Sequence, residues 1–362
     1  MVKKVAYLIG AGATEGAAKF HGFQKSLLME GLQDDISELL NKQSIPGIQW
    51  AMNELETGAN LERLVSLFEY SGTSKHLEIA KALRNAFRIV LEKRLSEISN
   101  HFIPELLVAL VDMHRINGLG EEIIAILTTN YEDLIERSIQ KIHGGINYPI
   151  QIIPNGMTYP MAQSAPPILK LHGSFNWKSE YPISFAGPGD RNDDGIWIPP
   201  GVMKRKESYP FNILWGKAKE LLNCDVLRII GSSLSQNDWE LVALISIAQG
   251  MGYKSEPAFS IELINSPQTK SDILKTHHYL EVVGLDDMID VREFIKKTYY
   301  PSDKMVDENK FDEALKLALG GNVFELWLRA KGEKMLDDGI SLDTKSNDFK
   351  DFILRGLGGG ST

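Results

Sequence analysis

Val5-Ala6-Tyr7-Leu8-Ile9-Gly10-Ala11-Gly12-Ala13-Thr14 carries five apolar residues straight into a glycine turn. An unbroken apolar run of this length, closed by glycine, is the pattern of a strand buried on both faces of a parallel sheet. The turn itself has two readings. It is a tight turn that suits glycine for its backbone freedom, or it is a cradle in which small residues let N–H groups at a helix N-terminus approach a pyrophosphate. The dinucleotide spacing G-x-G-x-x-G is met loosely, because Gly16 falls one position late.

Four further runs repeat the pattern of an apolar strand with a polar or glycine end. Ile123 to Leu127 leads into Thr128-Thr129-Asn130-Tyr131-Glu132-Asp133 and a helix from Leu134 to Ile142. Ile168 to Leu171 ends at His172-Gly173-Ser174. Val226 to Ile230 ends at Gly231-Ser232-Ser233-Leu234-Ser235, with Asn237-Asp238 opening a helix from Trp239 to Ile247, and Phe259 to Ile264 ends at Asn265-Ser266-Pro267. Strands that mostly alternate with helices predict an α/β fold, a doubly wound parallel Rossmann-like sheet. Ligands of such sheets sit outside the carboxyl ends of the strands, where all five polar clusters fall.

Between the first two strands, residues 27 to about 119 show helical spacing almost throughout. Leu61, Leu64, Val65 and Phe68, and again Leu83, Ala86, Phe87, Val90 and Leu91, fall on one helical face. The stretch predicts a large helical insertion. Beyond Pro301 the pattern changes to amphipathic helices at 311–319 and 323–335, a C-terminal helical extension over 301–355, and residues 356–362 form a glycine-rich flexible tail.

Composition narrows the function classes. The 362 residues are 43% hydrophobic and 24% charged, which suits a globular protein with a substantial core. A net charge of -9 with scattered basic residues lacks the footprint of a nucleic-acid binder. The N-terminal apolar stretch is too short for a signal peptide or a membrane span, so a cytoplasmic location with no membrane contact is expected. One cysteine, Cys224, can form neither an internal disulfide nor a Cys-x-x-Cys zinc pair.

Asn130 and His172 are the candidate reactive residues, and each has a plainer reading. Asn130 could cap the helix that follows it, and His172 could be a hydrogen-bonded structural histidine. Their joint appearance at strand ends that one sheet brings together favours the functional reading of both.

The ordered set G-A-G-A-T at 10–14, T-T-N-Y-E-D at 128–133, K-L-H-G-S at 170–174, G-S-S-L at 231–234 and I-N-S at 264–266 resembles the sirtuin family, most closely its bacterial NAD-consuming antiphage-defence branch. The resemblance spans roughly residues 5 to 290 and implies an NAD-binding domain over 1–300. It implies that Gly10, Ala11, Gly12 and Thr14 cradle the NAD phosphates and that Asn130 and His172 face the nicotinamide ribose. By the same resemblance Gly231, Ser232 and Ser233 line the phosphate and ribose channel, Asn265 contacts the adenosine ribose, and Glu132 stands where the family has Asp.

Two departures from the deacylating sirtuins bear on activity. The four-cysteine zinc ribbon cannot be built from one cysteine, and Glu15-Gly16-Ala17-Ala18-Lys19-Phe20 replaces the family's Gly-Ile-Pro-x-Phe-Arg segment. The resulting expectation is an NAD glycohydrolase that takes NAD as substrate, holds no zinc or other metal, and yields nicotinamide and ADP-ribose. The alternatives are an NAD-dependent protein deacylase or ADP-ribosyltransferase, and a non-catalytic NAD-binding module that holds a partner such as a helicase-like ATPase. Apolar faces on the C-terminal helices suit a homo-oligomer or packing on the main domain.

Overall fold

The five apolar runs pair into one sheet. A computed structural model describes residues 2–98, 102–150, 159–177, 196–198, 209–252, 259–280, 289–299 and 322–357. Strands β1 (Lys3–Ile9), β2 (Glu121–Thr128), β3 (Ile168–Lys170), β4 (Val226–Ile230) and β5 (Ser260–Ile264) lie in the order β3-β2-β1-β4-β5, and every pairing is parallel. The chain leaves β1 for its neighbour on one side and returns 98 residues after β2 ends to the neighbour on the other. The crevice of a doubly wound sheet therefore opens between the carboxyl ends of β1 and β4.

Helix α1 (Ala11–Phe20) starts directly at the glycine turn. Four helices of the insertion follow: α2 (Gln33–Asn41), α3 (Ile48–Glu56), α4 (Leu61–Ser71) and α5 (Ser74–Glu97). Their ends are set locally. Asn60 caps α4 by accepting from Arg63 N at 3.2 Å, Thr73 caps α5, and Gly72 between them takes the left-handed conformation at φ 64°. Leu32, Ile36, Leu40, Leu64, Val65, Phe68, Leu83 and Phe87 form a core of their own.

The next helix, α6 (Glu105–Met113), has the same helical spacing but packs elsewhere: Leu106 to Val111 join the sheet's core. So do residues of α7 (Leu134–His143), α8 (Phe211–Leu221), α9 (Trp239–Gly252), α10 (Pro267–Thr276), α11 (Ile289–Tyr299), α12 (Val323–Asp337) and α13 (Asp348–Leu357). Helix α13 carries regular structure through Leu357. The helix expected at 311–319 and the tail from residue 358 lie outside the described residues. No helix among the described residues is long and apolar enough to cross a membrane.

Two polar knots fasten the C-terminal helices to the sheet. Arg228 on β4, 1% exposed, makes a paired contact with Glu121 at 2.6 and 2.7 Å, reaches Glu262 at 2.7 Å and donates to Tyr7 Oη at 3.0 Å. Its guanidinium also lies over the Trp327 ring of α12. In the second knot, fully buried Asp112 of α6 accepts from Thr344 Oγ1 at 2.8 Å, from Phe349 N at 2.9 Å and from Ser346 Oγ. Asp112→Ala leaves those donors without their acceptor. It is expected to cost about 3 kcal/mol in urea unfolding and to raise amide exchange across α13 ahead of the sheet; unchanged exchange there would refute the clasp.

The first knot sets an acid limit. Tyr7 Oη lies 2.7 Å from His114 Nε2, and burial, seconded by the Arg228 charge, lowers the imidazole to about 3 from 6.5. Burial alone would raise Glu121, but hydrogen bonds and charge from Arg228 outweigh it and hold the carboxyl at about 2, below its ordinary 4.5. Both groups bind protons more readily unfolded, so stability falls as pH drops from 6.5 toward 3 for His114 and from 4.5 toward 2 for Glu121. His21 and His143 are lowered as well, mainly by burial. The expected result for His114→Gln is a shallower loss of stability between pH 6.5 and 3, read by urea unfolding across that range.

Candidate functional site

The glycine turn and the end of β4 interlock without side chains. Gly10 N donates to Ile230 O at 2.9 Å and Gly12 N to Gly231 O at 2.8 Å. A Cβ on Gly10 would sit 2.5 Å from Gly231 O, and one on Gly231, whose φ is 64°, would sit 2.5 Å from Gly12 C. The Gly10 conformation, at φ -100°, needs no glycine; glycine is needed at both turns for their close backbone packing, which makes a floor, and, at Gly231, for its positive φ. Helix α1 begins on that floor with no side-chain cap and no acidic residue in its first turn. Such an N-terminus suits an anion.

Above the floor lies a cavity of about 590 Å³ lined by Gly10, Ala11, Gly12, Thr14, Asn130, Glu132, His172, Gly231, Ser232, Ser233 and Asn265. The sheet thus brings all eleven candidate residues to one place. An adjoining cavity of about 620 Å³ shares Gly12, Gly231, Asn265 and Thr269 with it and continues beneath Phe324 of α12.

Asn130 is not a helix cap. The N-cap position of α7 is Asp133, and the Asn130 side chain turns instead toward α1. Its Nδ2 donates to Thr14 Oγ1 and to Glu132 Oε1, both at 3.1 Å, and Thr14 Oγ1 donates to the same Glu132 oxygen at 2.5 Å. Both amide hydrogens are used, so the acceptor Oδ1 is the atom Asn130 offers to a ligand. The main chain below is equally fixed. Asn130 N donates to Thr128 Oγ1, which donates to Ile9 O, and buried Lys170 donates to Glu132 O while pairing with Glu136 at 3.0 Å.

Glu132 Oε2 is buried without a hydrogen-bond partner, and burial raises the carboxyl above its ordinary 4.5. Glu132 therefore spends one oxygen orienting Asn130. His172, 3% exposed, stacks on Tyr131 at 6.4 Å and points Nε2 toward Asp238 Oδ1 at 3.8 Å. Asn265 Nδ2 donates to Ser232 O at 3.0 Å, which joins the ends of β4 and β5.

Two parts of the wall escaped sequence reading. The insertion supplies Asn60, Glu62, Phe87 and Leu91, and Asn237 Nδ2 donates to Glu62 Oε2 at 2.7 Å, tying that wall to the loop after β4. Asp238 reads in sequence only as a residue opening a helix; nothing local marks it as a neighbour of His172. Glu62, Glu132 and Asp238 line the cavity together with Asn130 and His172, Ser232 and Ser233 bring hydroxyls next to Gly231, and no Lys or Arg lines this cavity among the described residues. The acidic lining suits a cationic group, and the uncapped start of α1 with the Ser232 and Ser233 hydroxyls suits an anionic one.

No group of three or more His, Cys, Asp and Glu is placed to hold a metal ion among the described residues. Cys224 is buried, and burial pushes its thiol up to about 12, so it is no ready nucleophile.

Residues 124–275 match the family model of the SIR2-like domain, so this part of the chain is sirtuin-like. The match runs from β2 into α10 and takes in Asn130, Glu132, His172, the 231–233 loop and Asn265, but neither the glycine turn nor the insertion. No curated protein matches the chain.

The interlock is open to test by one methyl group. Gly231→Ala, with a strained φ and no room, should cost more than about 2 kcal/mol in urea unfolding. Gly216→Ala in α8, where nothing lies within 4 Å of the added carbon, should be neutral or gain up to about 1 kcal/mol; equal behaviour of the two variants would refute the interlock.

Proposed function

A chain with a SIR2-like domain carries a fold whose family uses NAD, and we propose that this one is an NAD glycohydrolase releasing nicotinamide and ADP-ribose. The observation that carries the reading is the make-up of the cavity: Glu62, Glu132 and Asp238 line it with Asn130 and His172, and Ser232, Ser233 and the uncapped start of α1 line it beside Gly231. Nicotinamide leaves a cationic ring as a neutral molecule, so its departure needs no general acid. What the site must do is stabilise the oxocarbenium-like centre at the ribose C1′ and position water.

Each step has a group to serve it. The Asn130 Oδ1 left free by Thr14 and Glu132 accepts from the attacking water or a ribose hydroxyl. As the water oxygen bonds to C1′, the C1′–N bond electrons leave with nicotinamide, and the water proton passes to the His172 imidazole and then to solvent. A neutral imidazole suits that transfer near neutral pH. Carboxylates beside the reacting centre suit the positive charge as it passes from the nicotinamide ring to the ribose C1′.

The antiphage setting follows from the family resemblance, a homo-oligomeric state from the apolar faces of the C-terminal helices, and a helicase-like ATPase is the kind of partner a binding module would hold. The cysteine count and the replaced segment after the glycine turn weigh against a deacylase.

Nicotinamide release from NAD by the purified chain tests the reading. His172→Ala should lower it at least about 100-fold, and Asn130→Ala by a comparable factor with NAD binding retained. Full turnover in His172→Ala would sink the assignment, NAD consumption that requires an acyl-lysine peptide would point to the deacylase, and saturable NAD binding without release, even with a partner added, would point to the binding module.

A further inference from the structure

We propose that Asp238 is the positioning residue for His172: it faces the imidazole Nε2 and stabilises the cation formed when the ring takes up a proton. The catalytic consequence rests on the glycohydrolase reading; the pairing itself does not. Asp238 Oδ1 lies 3.8 Å from His172 Nε2, and both residues line the same cavity. That separation is too long for a hydrogen bond to a neutral ring and short enough for a strong charge pair with a protonated one. An interaction that grows as the proton arrives lowers the barrier and not merely the starting state.

Both partners are held. Ile198 N donates to His172 O at 2.7 Å, and a Cβ on the following Gly173, at φ 74°, would sit 2.8 Å from Trp197 Cα, which locks the turn that presents the imidazole. On the other side Asp238 N donates to Ser235 O at 2.9 Å, Ser235 Oγ accepts from Asn237 N at 3.2 Å, and the Asn237 side chain is anchored on Glu62. The carboxylate therefore sits on a short braced turn, fastened at one end to the sheet and at the other to the insertion.

The other titratable groups lining the cavity with the ring are Tyr131, which stacks on it, Glu62 on α4, Glu132 beside Asn130, and Glu30 ahead of α2. Among these carboxylates Asp238 lies within ion-pair distance of the imidazole. A purely structural role is also conceivable for Asp238, since an acidic side chain in the first turn of a helix is favourable on its own. That role predicts nothing about the histidine.

The test is a titration of the full chain carrying ¹³C-labelled histidine, with the His172 signal assigned by its loss in His172→Gln. Replacing Asp238 by Asn should lower the His172 pKa by about one unit, as expected for loss of an opposite charge within 4 to 6 Å. Nicotinamide release should fall about tenfold or more in kcat with KM for NAD little changed, and its acid limb should move to lower pH by the same shift. Asp238→Ser, which keeps a good residue for a helix start, serves if the Asn variant does not fold, and Asp238→Glu should recover most of the pKa. An unchanged His172 pKa in either neutral variant overturns the proposal. A shifted pKa in a wild-type chain that never cleaves NAD upholds the pairing and removes the glycohydrolase reading instead.

Discussion

The contact between Gly10-Ala11-Gly12 and Gly231 is the constraint on which the rest of the molecule depends. The turns that follow β1 and β4 can pack backbone on backbone only because Gly10, Gly12 and Gly231 carry no Cβ. Because β1 and β4 close up in this way, α1 can start at the sheet edge and direct its N-terminus across the crevice. Thr14 then falls one helical turn in, where its hydroxyl meets Glu132 and Asn130 from the end of β2. A bulkier residue at any of these glycines would part the strand ends and misplace a triad that contributes nothing to the interlock.

Sheet and site were legible in the sequence to different depths. Strands buried on both faces must be apolar runs, and five of them stood out because turn residues closed each one. The eleven residues at their ends converge because a parallel sheet puts every carboxyl end on one side. Asn130 could not be resolved by local chemistry, since an asparagine just before a helix can always cap it. The choice was made by Thr14 and Glu132, and Thr14 is remote in sequence. Asp238 stayed hidden for a similar reason: an acidic residue at a helix start already has a sufficient local explanation.

The helical stretch posed a different limit. Spacing reports that a helix buries a face, but not against what. Helices α2 to α5 bury theirs on one another and leave Asn60, Glu62 and Phe87 to wall the cavity, whereas α6 shares their spacing and packs under the sheet. Its Asp112 then holds the segment leading into α13, so the C-terminal helices are part of the same body as the floor of the site.

The strand order has a consequence for the chain as it is made. The floor of the cavity needs Gly231, which leaves the ribosome more than two hundred residues after Gly10. Until it does, a nascent chain has Asn130 and His172 but no crevice to hold a dinucleotide between them. The cavity is thus completed only late in synthesis, through nothing more than the order in which neighbouring strands are translated.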